Sequence, residues 1–458
     1  MGGLNTSMMI GLQALEATQG ALAATSNNIA NSGTAGYTRE VVNLSENNQN
    51  LSDGTVTGGG VTLNGLQSVR DELLNLQIQQ QTSLQSSADA QSSSLNEIQN
   101  YFTTSGSDIA SALSAFTSSL TNLSGSPANA SVRESVLTAG QNLAQTFNST
   151  ANGLTSVQSE ANAGVSQTVD QINSLTTQIA QLNGQLGQLT GAGQDGGTVQ
   201  DQRDELVQQL SQLTGISITQ SSDGEAITTA NGAPLVSGSQ SDALSTTAGS
   251  DGMQHVIDSS GSDITSSIQG GKLGGAIAIR DQAIPSYLSQ LNTLATQMAG
   301  AFNTAQSTGY DANGNAGQNF FSIPSSGGAA AGMSVAITDG SQIAASSDGS
   351  SGSNGNVANL SAALTDPLPS GKSASDAYAS LVYQVGSAAS NASTQSSAIA
   401  QNLLQLTNQQ NSVSGVNVDE ETTNLIRYQT AYEAAARIVS TIQQLNTVTL
   451  DMGSSQSY

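Results

Sequence analysis

The chain contains no cysteine and no tryptophan, a single histidine, and nine lysines and arginines against 33 acidic residues. Each scarcity excludes a class of chemistry. Without cysteine there are no disulfides, no thiolate nucleophile and no cysteine-based metal site. One histidine, His255, forbids a histidine-pair metal centre, and its setting, GMQHVID, reads as a short strand carrying an ordinary, partly exposed side chain. A net charge of −24 repels nucleic acid and anionic lipid alike. No run of apolar residues approaches the roughly 18 needed to cross a bilayer, so membrane insertion is not expected. The N-terminus, MGGLNTSMMIGLQALEATQG, has no basic segment, continuous apolar stretch or small-residue cleavage site of a secretory signal. Proline is absent before Pro127 and after Pro369, so nothing breaks helices at the two ends.

What is present is periodicity. Aromatics are only 3% of the chain and Ser, Gln and Gly abound, a composition that leans toward disorder. The apolar residues, however, are spaced regularly, and that decides for a folded, largely helical protein. Met8, Leu15, Leu22 and Ile29 stand seven apart. Leu4, Gly11, Thr18 and Thr25 interleave as a weaker second row, giving a heptad seam. The C-terminus mirrors this with Leu425, Tyr428, Tyr432, Ala435, Ile442 and Leu445. That helix is preceded by Asn417, a candidate N-cap at capping-box spacing from Glu420, and opens with Asp419, Glu420 and Glu421. Glu433 and Arg437 are spaced for an i,i+4 ion pair. Further heptad rows run through Val165–Leu186, Ile284–Ala305 and Tyr378–Val413, with weaker helical patterns over about 68–104, 107–149 and 198–213.

Strand signals are confined to the middle. Short alternating runs occupy 216–280, with Asn231-Gly232 marking a hairpin, and MSVAIT at 333–338 is a further short strand in a Gly/Ser-rich region. The expected fold is mainly α with a β-rich insertion, elongated and nested, with the terminal helices paired as a coiled coil. The expected division is a terminal domain from 1–45 plus 417–458, a long-helix bundle from 46–215, 276–310 and 371–416, and a β-rich outer domain from 216–275 plus 311–370.

No catalytic constellation is found. Asp311, Asn313 and Asn315 have the first spacings of a calcium loop, but Ser322 stands where a closing glutamate is needed. Gly270-Gly271 and Gly274-Gly275 bracket Lys272 without the phosphate-loop pattern. The acidic pairs Asp71–Glu72, Asp204–Glu205 and Glu420–Glu421 read as solvated faces or dipole partners, since adjacent helical residues diverge. No catalytic, metal or cofactor-binding residue is assigned.

The end of the first helix carries more. In SNNIANSGTAGYTRE (26–40), the residues Ala30, Asn31, Thr34, Gly36, Tyr37 and Arg39 match the A-N-x-x-T-P-G-Y-x-R signature of the bacterial flagellar rod, hook and hook-associated axial proteins, except that Ala35 replaces the proline. VNVDEETTNLIRYQTAYEAAARIVST resembles the C-terminal segment of the hook-associated members, as does Gly309, Tyr310, Asp311, Gly314, Gly317, Phe320 and Phe321 in mid-chain. The region 216–275 aligns with no motif of the family.

The resemblance implies a structural, non-enzymatic subunit at the hook–filament junction, needed for filament attachment. Its monomers would stack into a tubular ring, with the terminal helices lining an export channel and the β-rich part facing outward. Implied partners are the hook protein, the next hook-associated junction protein and a cytoplasmic export chaperone at the C-terminal helix. The implied location is the extracellular flagellum, reached through the flagellar type III system without a cleaved signal. Rival readings are another axial protein, hook-like or flagellin-like, or a secreted adhesin or enzyme on an axial scaffold.

Overall fold

A computed structural model describes residues 2–34, 36–50, 56–103, 106–192, 196–221 and 224–454. Ala35, the departure from the family signature, lies outside the described residues, as do Met1 and 455–458 of the expected terminal domain.

The chain leaves along α1 (Gly2–Ala30) and returns along α10 (Val418–Ser454), which packs beside it. After α1 comes a long antiparallel hairpin, β1 (Glu40–Asn50) and β2 (Val56–Ser68), with two register shifts along its length. The sequence carries only weak alternation here, and the expected domain boundary at 45/46 cuts through β1. Then follow α2 (Glu72–Phe102), α3 (Ile109–Gly125), α4 (Ala130–Gly191) and α5 (Gly197–Leu213). Their starts are set by side-chain caps. Asp71, Asp108 and Asn129 accept from backbone amides of Leu74, Ser111, and Ser131 and Val132, satisfying donors that a helix terminus leaves free. Asp71 thus caps α2 and Glu72 lies in its first turn, as the dipole-partner reading of this pair has it.

α4 merges two expected segments into one helix of 62 residues, roughly 90 Å at 1.5 Å per residue. It is the spine on which two separate hydrophobic cores are built. Its first half packs with α3, α7 (Ile284–Ser307), α8 (Val357–Thr365) and α9 (Ala374–Ser414) around Phe116, Phe147, Phe302, Phe320 and Phe321. Its second half carries Val165, Val169, Ile172 and Ile179 into a smaller core with α5, α6 (Gly271–Ala278) and the strands. Those strands are β3 (Ile216–Ser221), β4 (Gly224–Thr229), β5 (Pro234–Ser237) and β6 (Gln240–Ser241), paired in that order. Beside them lies a hairpin of β7 (Ser245–Ala248) and β8 (Gln254–Ile257).

The grouping of 216–275 with 311–370 is therefore corrected. Residues 216–275 sit on the second core, whereas Phe320, Phe321, Ala330, Met333 and Ile337 belong to the first. The segment 311–370 is also not β-rich, holding only β9 (Phe321–Ser322), β10 (Ser334–Val335), a 3₁₀ turn and α8 among its regular elements. Its glycines and serines make turns over an aromatic anchor, and two adjacent phenylalanines recruit it to the larger core. The class remains mainly α with a β insertion.

The terminal seam also differs from the heptad reading. The residues of α1 that are fully buried are Gly11, Ala17, Ala21, Ala24, Thr25 and Asn28. Leu4, Met8, Leu15, Leu22 and Ile29 are only half-buried. The reason is that α1 has two neighbours, α10 and the hairpin, and small residues occupy the arc between them. A Cβ on Gly11 would lie 2.8 Å from Val439 Cγ2, and one on Gly20 would lie 2.9 Å from Leu63. At 100° per residue the leucine row falls roughly a quarter-turn off the centre of that arc. On α10, Ala435, Val439 and Ile442 are buried, Leu425 and Tyr428 are half-buried, and Tyr432 and Leu445 are exposed. Glu433 and Arg437 do not close into an ion pair and both are exposed.

Candidate functional site: the joint between the terminal helices and the body

The chain turns out of α1 by local bonds. Asn31 Nδ2 donates to the Asn27 carbonyl at 3.1 Å and to Asn27 Oδ1 at 2.8 Å. The Thr34 amide donates to the Asn31 carbonyl, and the Tyr37 amide to the Thr34 carbonyl. Gly36 takes φ 76°, a left-handed angle that favours glycine. Ala30 closes α1 and is exposed.

The turn delivers Tyr37, Arg39 and Glu40 back against α1 and α10, where Asn28 is the hub. Asn28 Oδ1 accepts from the Tyr37 hydroxyl at 2.8 Å and from the Glu40 amide at 2.9 Å. Its Nδ2 donates to the Glu40 carbonyl at 2.8 Å and to Glu421 Oε2 at 3.2 Å. Arg39 then grips the first turn of α10, with Nε 2.8 Å from Glu421 Oε1 and Nη2 2.8 Å from Glu420 Oε1. Its amide donates to the Ser414 carbonyl at the end of α9, and its carbonyl accepts from the Val69 amide. One residue thereby touches α9, α10 and the chain leading into α2. Asn417 Oδ1 accepts from the Asp419 and Glu420 amides at 3.0 and 3.3 Å. The expected capping box is thus half made, because the Glu420 carboxylate turns to Arg39.

A second layer of charge lies beneath. The Thr38 amide donates to Asp201 Oδ2 at 3.1 Å. Arg70 pairs with Asp201 at 2.5 Å and with Asp204, and Arg203 bridges Asp204 and Glu225 at 2.9 and 2.8 Å. A chain of ion pairs therefore runs from Arg70 through α5 to Glu225 on β4, and the Thr38 amide ties it to the segment that carries Arg39. Asp204, Glu420 and Glu421 are partners of arginines; Glu420 is nonetheless exposed, and Glu420 and Glu421 lie in the first turn of α10, where the dipole-partner reading also holds. Burial pushes the Asp201 carboxyl up, against the Thr38 hydrogen bond and the Arg70 charge. Burial, with Glu40, Asp201 and Glu421 nearby, pushes the Tyr37 phenol up, so it stays protonated as the donor to Asn28. A cleft of about 620 Å³, lined in part by Asn31, Thr34, Gly36, Tyr37, Gln181 and Asp201, lies beside this contact, between the turn and the facing sides of α4 and α5.

Of the residues read from the sequence, the structure brings Asn31, Thr34, Gly36, Tyr37, Arg39, Asn417, Asp419 and Glu420 to this joint, while Arg437 lies apart on the outer side of α10. Asn28, Glu40, Arg70 and Asp201 complete it without having been singled out. The available signal was scarcity: among the few arginines of so acidic a chain, Arg39, Arg70 and Arg203 are all placed against carboxylates here.

The other candidates resolve into local structure. Asp311 accepts from the amides of Asn313 and Asn315 and from Asn315 Nδ2, which makes a turn of the calcium-like stretch. Among the described residues no group of three or more His, Cys, Asp or Glu is arranged to hold a metal ion. His255 sits between Asp263 and Asp251, at 2.6 and 3.3 Å. Hydrogen bonds to Asp263 and then Asp251 raise its pKa above 6.5. Hydrogen bonds from Thr265 and His255 hold Asp263 down at about 2. The stabilisation from protonated His255 is complete below 6.5 and is lost as pH rises through the raised folded value. That from ionised Asp263 is present above its usual 3.8 and is lost as pH falls toward about 2. In an NMR titration the single imidazole is expected to have a midpoint above 6.5 that falls back in Asp263→Asn; a parent midpoint at or below 6.5 would contradict the pairing.

Comparison with known proteins agrees with this architecture. Residues 95–321 match the flagellar hook-associated protein FlgK helical domain. Residues 409–452 match the flagellar basal body rod FlgEFG protein C-terminal family, and residues 8–38 the flagella basal body rod protein family. Flagellar hook-associated protein 1 of Bacillus subtilis (strain 168) is 31% identical, over 96% of this chain and 97% of its own. That of Escherichia coli (strain K12) is 29% identical, over 94% and 96%. The fold is shared with the flagellar hook junction protein FlgK from Burkholderia pseudomallei, with a TM-score of 0.66 at 20% identity, covering 74% of this chain and 100% of that one. The chain belongs to the flagellar hook-associated protein 1 family.

Proposed function

We propose that this chain is a structural subunit of the bacterial flagellum, without enzymatic activity, that joins the hook to the filament. The observation that supports it best is the closure of the two chain ends on each other by the residues of the axial signature: Tyr37 and Arg39, through Asn28, onto Glu420 and Glu421. A subunit that must pass load between two stacked tubes needs its terminal helices fixed in angle to its body, and this joint does that.

In this reading, subunits assemble as a tubular ring in which α1 and α10 line the channel. The outer side of this pair leaves Met9, Leu12, Ile438, Val448, Leu450 and Met452 exposed. Exposed apolar side chains in this number on one helix pair are what a further contact would cover, and the neighbouring subunit is the occupant proposed here. The same helix, before assembly, is the segment proposed for the export chaperone. The hook protein and the next hook-associated protein are the axial neighbours. Export through the flagellar type III system precedes assembly in this reading. No described helix is long and apolar enough to cross a membrane.

The test is electron microscopy of flagella from a strain lacking this protein. Hooks without filaments, with flagellin in the medium, are expected, and plasmid-borne parent chain restores filaments. Intact filaments in the deletion strain would refute the junction role.

A further inference from the structure

On α4 and α2 the two hydrophobic cores are separated by a waist without core residues, whereas at the end of α6 they run together, from Ile277 of the second to Ile279 of the first. On α4 the first core ends at Val157 and the second begins at Val165. The intervening stretch is Gln158, Ser159, Glu160, Ala161, Asn162, Ala163 and Gly164, polar or small throughout. On α2, the first core begins at Leu95, after Gln91, Ser92, Ser93 and Ser94. At this level an open cleft of about 700 Å³ separates α2 from α4, lined by residues that include Ala90, Ser93, Ser94, Ala161, Ala163 and Gly164. Native interiors are close-packed, so the cleft leaves the α2–α4 side of the waist with little to resist bending, while α6 stays packed on α2, a Cβ on Gly275 lying 2.6 Å from the Ser87 carbonyl oxygen.

The third helix through the waist is interrupted there. Between α6 and α7, residues Ile279–Ala283 form a π-turn, and the Ile284 amide donates to the Ile279 carbonyl, five residues back. The cause is Pro285, which has no amide to donate to residue 281 and whose ring crowds that carbonyl. Single π-turns of this kind recur where helices serve a function beyond packing.

One side chain spans the waist. Arg280 is 1% exposed. Its Nε and Nη2 pair with Asp281 at 2.6 and 2.9 Å, and its Nη1 donates to Asn162 Oδ1 at 3.0 Å and to the Gln254 carbonyl at 2.7 Å. Its own carbonyl accepts from Gln158 Nε2 at 2.9 Å. Asn162 Oδ1 also accepts from the Gln254 amide at 2.7 Å. Arg280 thus ties the waist of α4 to the π-turn and to β8 of the second core.

We infer that the waist at 158–164 is a bending point between the two halves of the body, that the cleft between α2 and α4 opens and closes as they bend, and that Arg280 is the clamp limiting the motion. The device is independent of the joint at the terminal helices. It gives the body a compliance of its own, distinct from any sliding between subunits.

The absence of cysteine makes the test clean. Cysteines introduced at exposed Ser118, in the first half, and exposed Thr247, in the second, carry spin labels on the full chain, and the distance distribution is measured by double electron–electron resonance. Arg280→Met is expected to broaden the distribution, and Ser93→Phe, which fills the cleft, to narrow it. If Arg280→Met keeps the parent circular dichroism and both variants give the parent distribution, the hinge is overturned. If Arg280→Met does not fold, Ser93→Phe alone decides, and an unchanged width overturns the proposal.

Discussion

Phe320→Ala should destabilise the body by about 3–5 kcal/mol, the range for deleting a buried aromatic ring. Phe320 is fully buried against Phe116, Phe302 and Phe321, with ring centroids 5.5, 5.0 and 4.8 Å away. The tilted and edge-on arrangements of this cluster add to the area it removes from water. It also anchors a long segment with little regular structure. The Phe320 and Phe321 amides both donate to Asn303 Oδ1, at 2.8 and 2.9 Å, so ring and backbone are fixed together to α7. Gly140 on α4 makes room for the ring: a Cβ there would lie 2.5 Å from Phe320 Cε1 and 2.6 Å from Cζ. Gly140→Ala should therefore cost about 1–3 kcal/mol through overpacking, and the pair Gly140→Ala with Phe320→Leu should cost less than the sum of the two. Urea unfolding followed by near-ultraviolet circular dichroism measures all four species. Strict additivity would mean that the glycine is not there for the ring.

How far the sequence discloses this molecule depends on the kind of contact. Rows of Leu and Ile at seven-residue spacing marked the helices, because burial of one stripe is a property of a single helix. The same rows misplaced the terminal seam, because α1 packs against a hairpin as well as α10, and alanines and glycines make that closer contact without standing out in a hydrophobic pattern. The hairpin was hidden because EVVNLSENNQN alternates poorly and is held by α1 rather than by a sheet. The adjacent phenylalanines at 320 and 321 were visible, but which core they would join was not, since both cores share α4. At the joint, Tyr37 and Arg39 stood out as members of the axial signature. Asn28 looked like one more asparagine in a helix-ending run. Its role depends on Glu421, nearly 400 positions away, and no local pattern records such a partner.

Asn28 carries the second large prediction. All its hydrogen-bonding capacity is used, two bonds accepted and two donated, and it is buried. Asn28→Ala removes the acceptor of the Glu40 amide and of the Tyr37 hydroxyl and a donor to Glu421. Each buried group left unmatched costs about 1–3 kcal/mol, so the terminal pair should lose on the order of 3 kcal/mol relative to the body. At 1.4 kcal/mol per decade, amide exchange in α1 and α10 should quicken by roughly a hundredfold. The body should be unaffected, because no residue of α1 or α10 is in either core. Asn28→Asp separates hydrogen bonding from shape. It keeps the acceptors and the volume but loses the donor and sets a like charge beside Glu421, so at neutral pH it should loosen the pair at least as much as alanine does. Lowering the pH should partly restore the contact as the introduced carboxyl takes up a proton. In cells lacking the parent chain, both variants should be exported and yet hold filaments poorly, because the joint transmits load only when the angle between terminal pair and body is fixed. Parent-like exchange in α1 and α10 together with normal filament retention would show that the axial signature serves some purpose other than this joint.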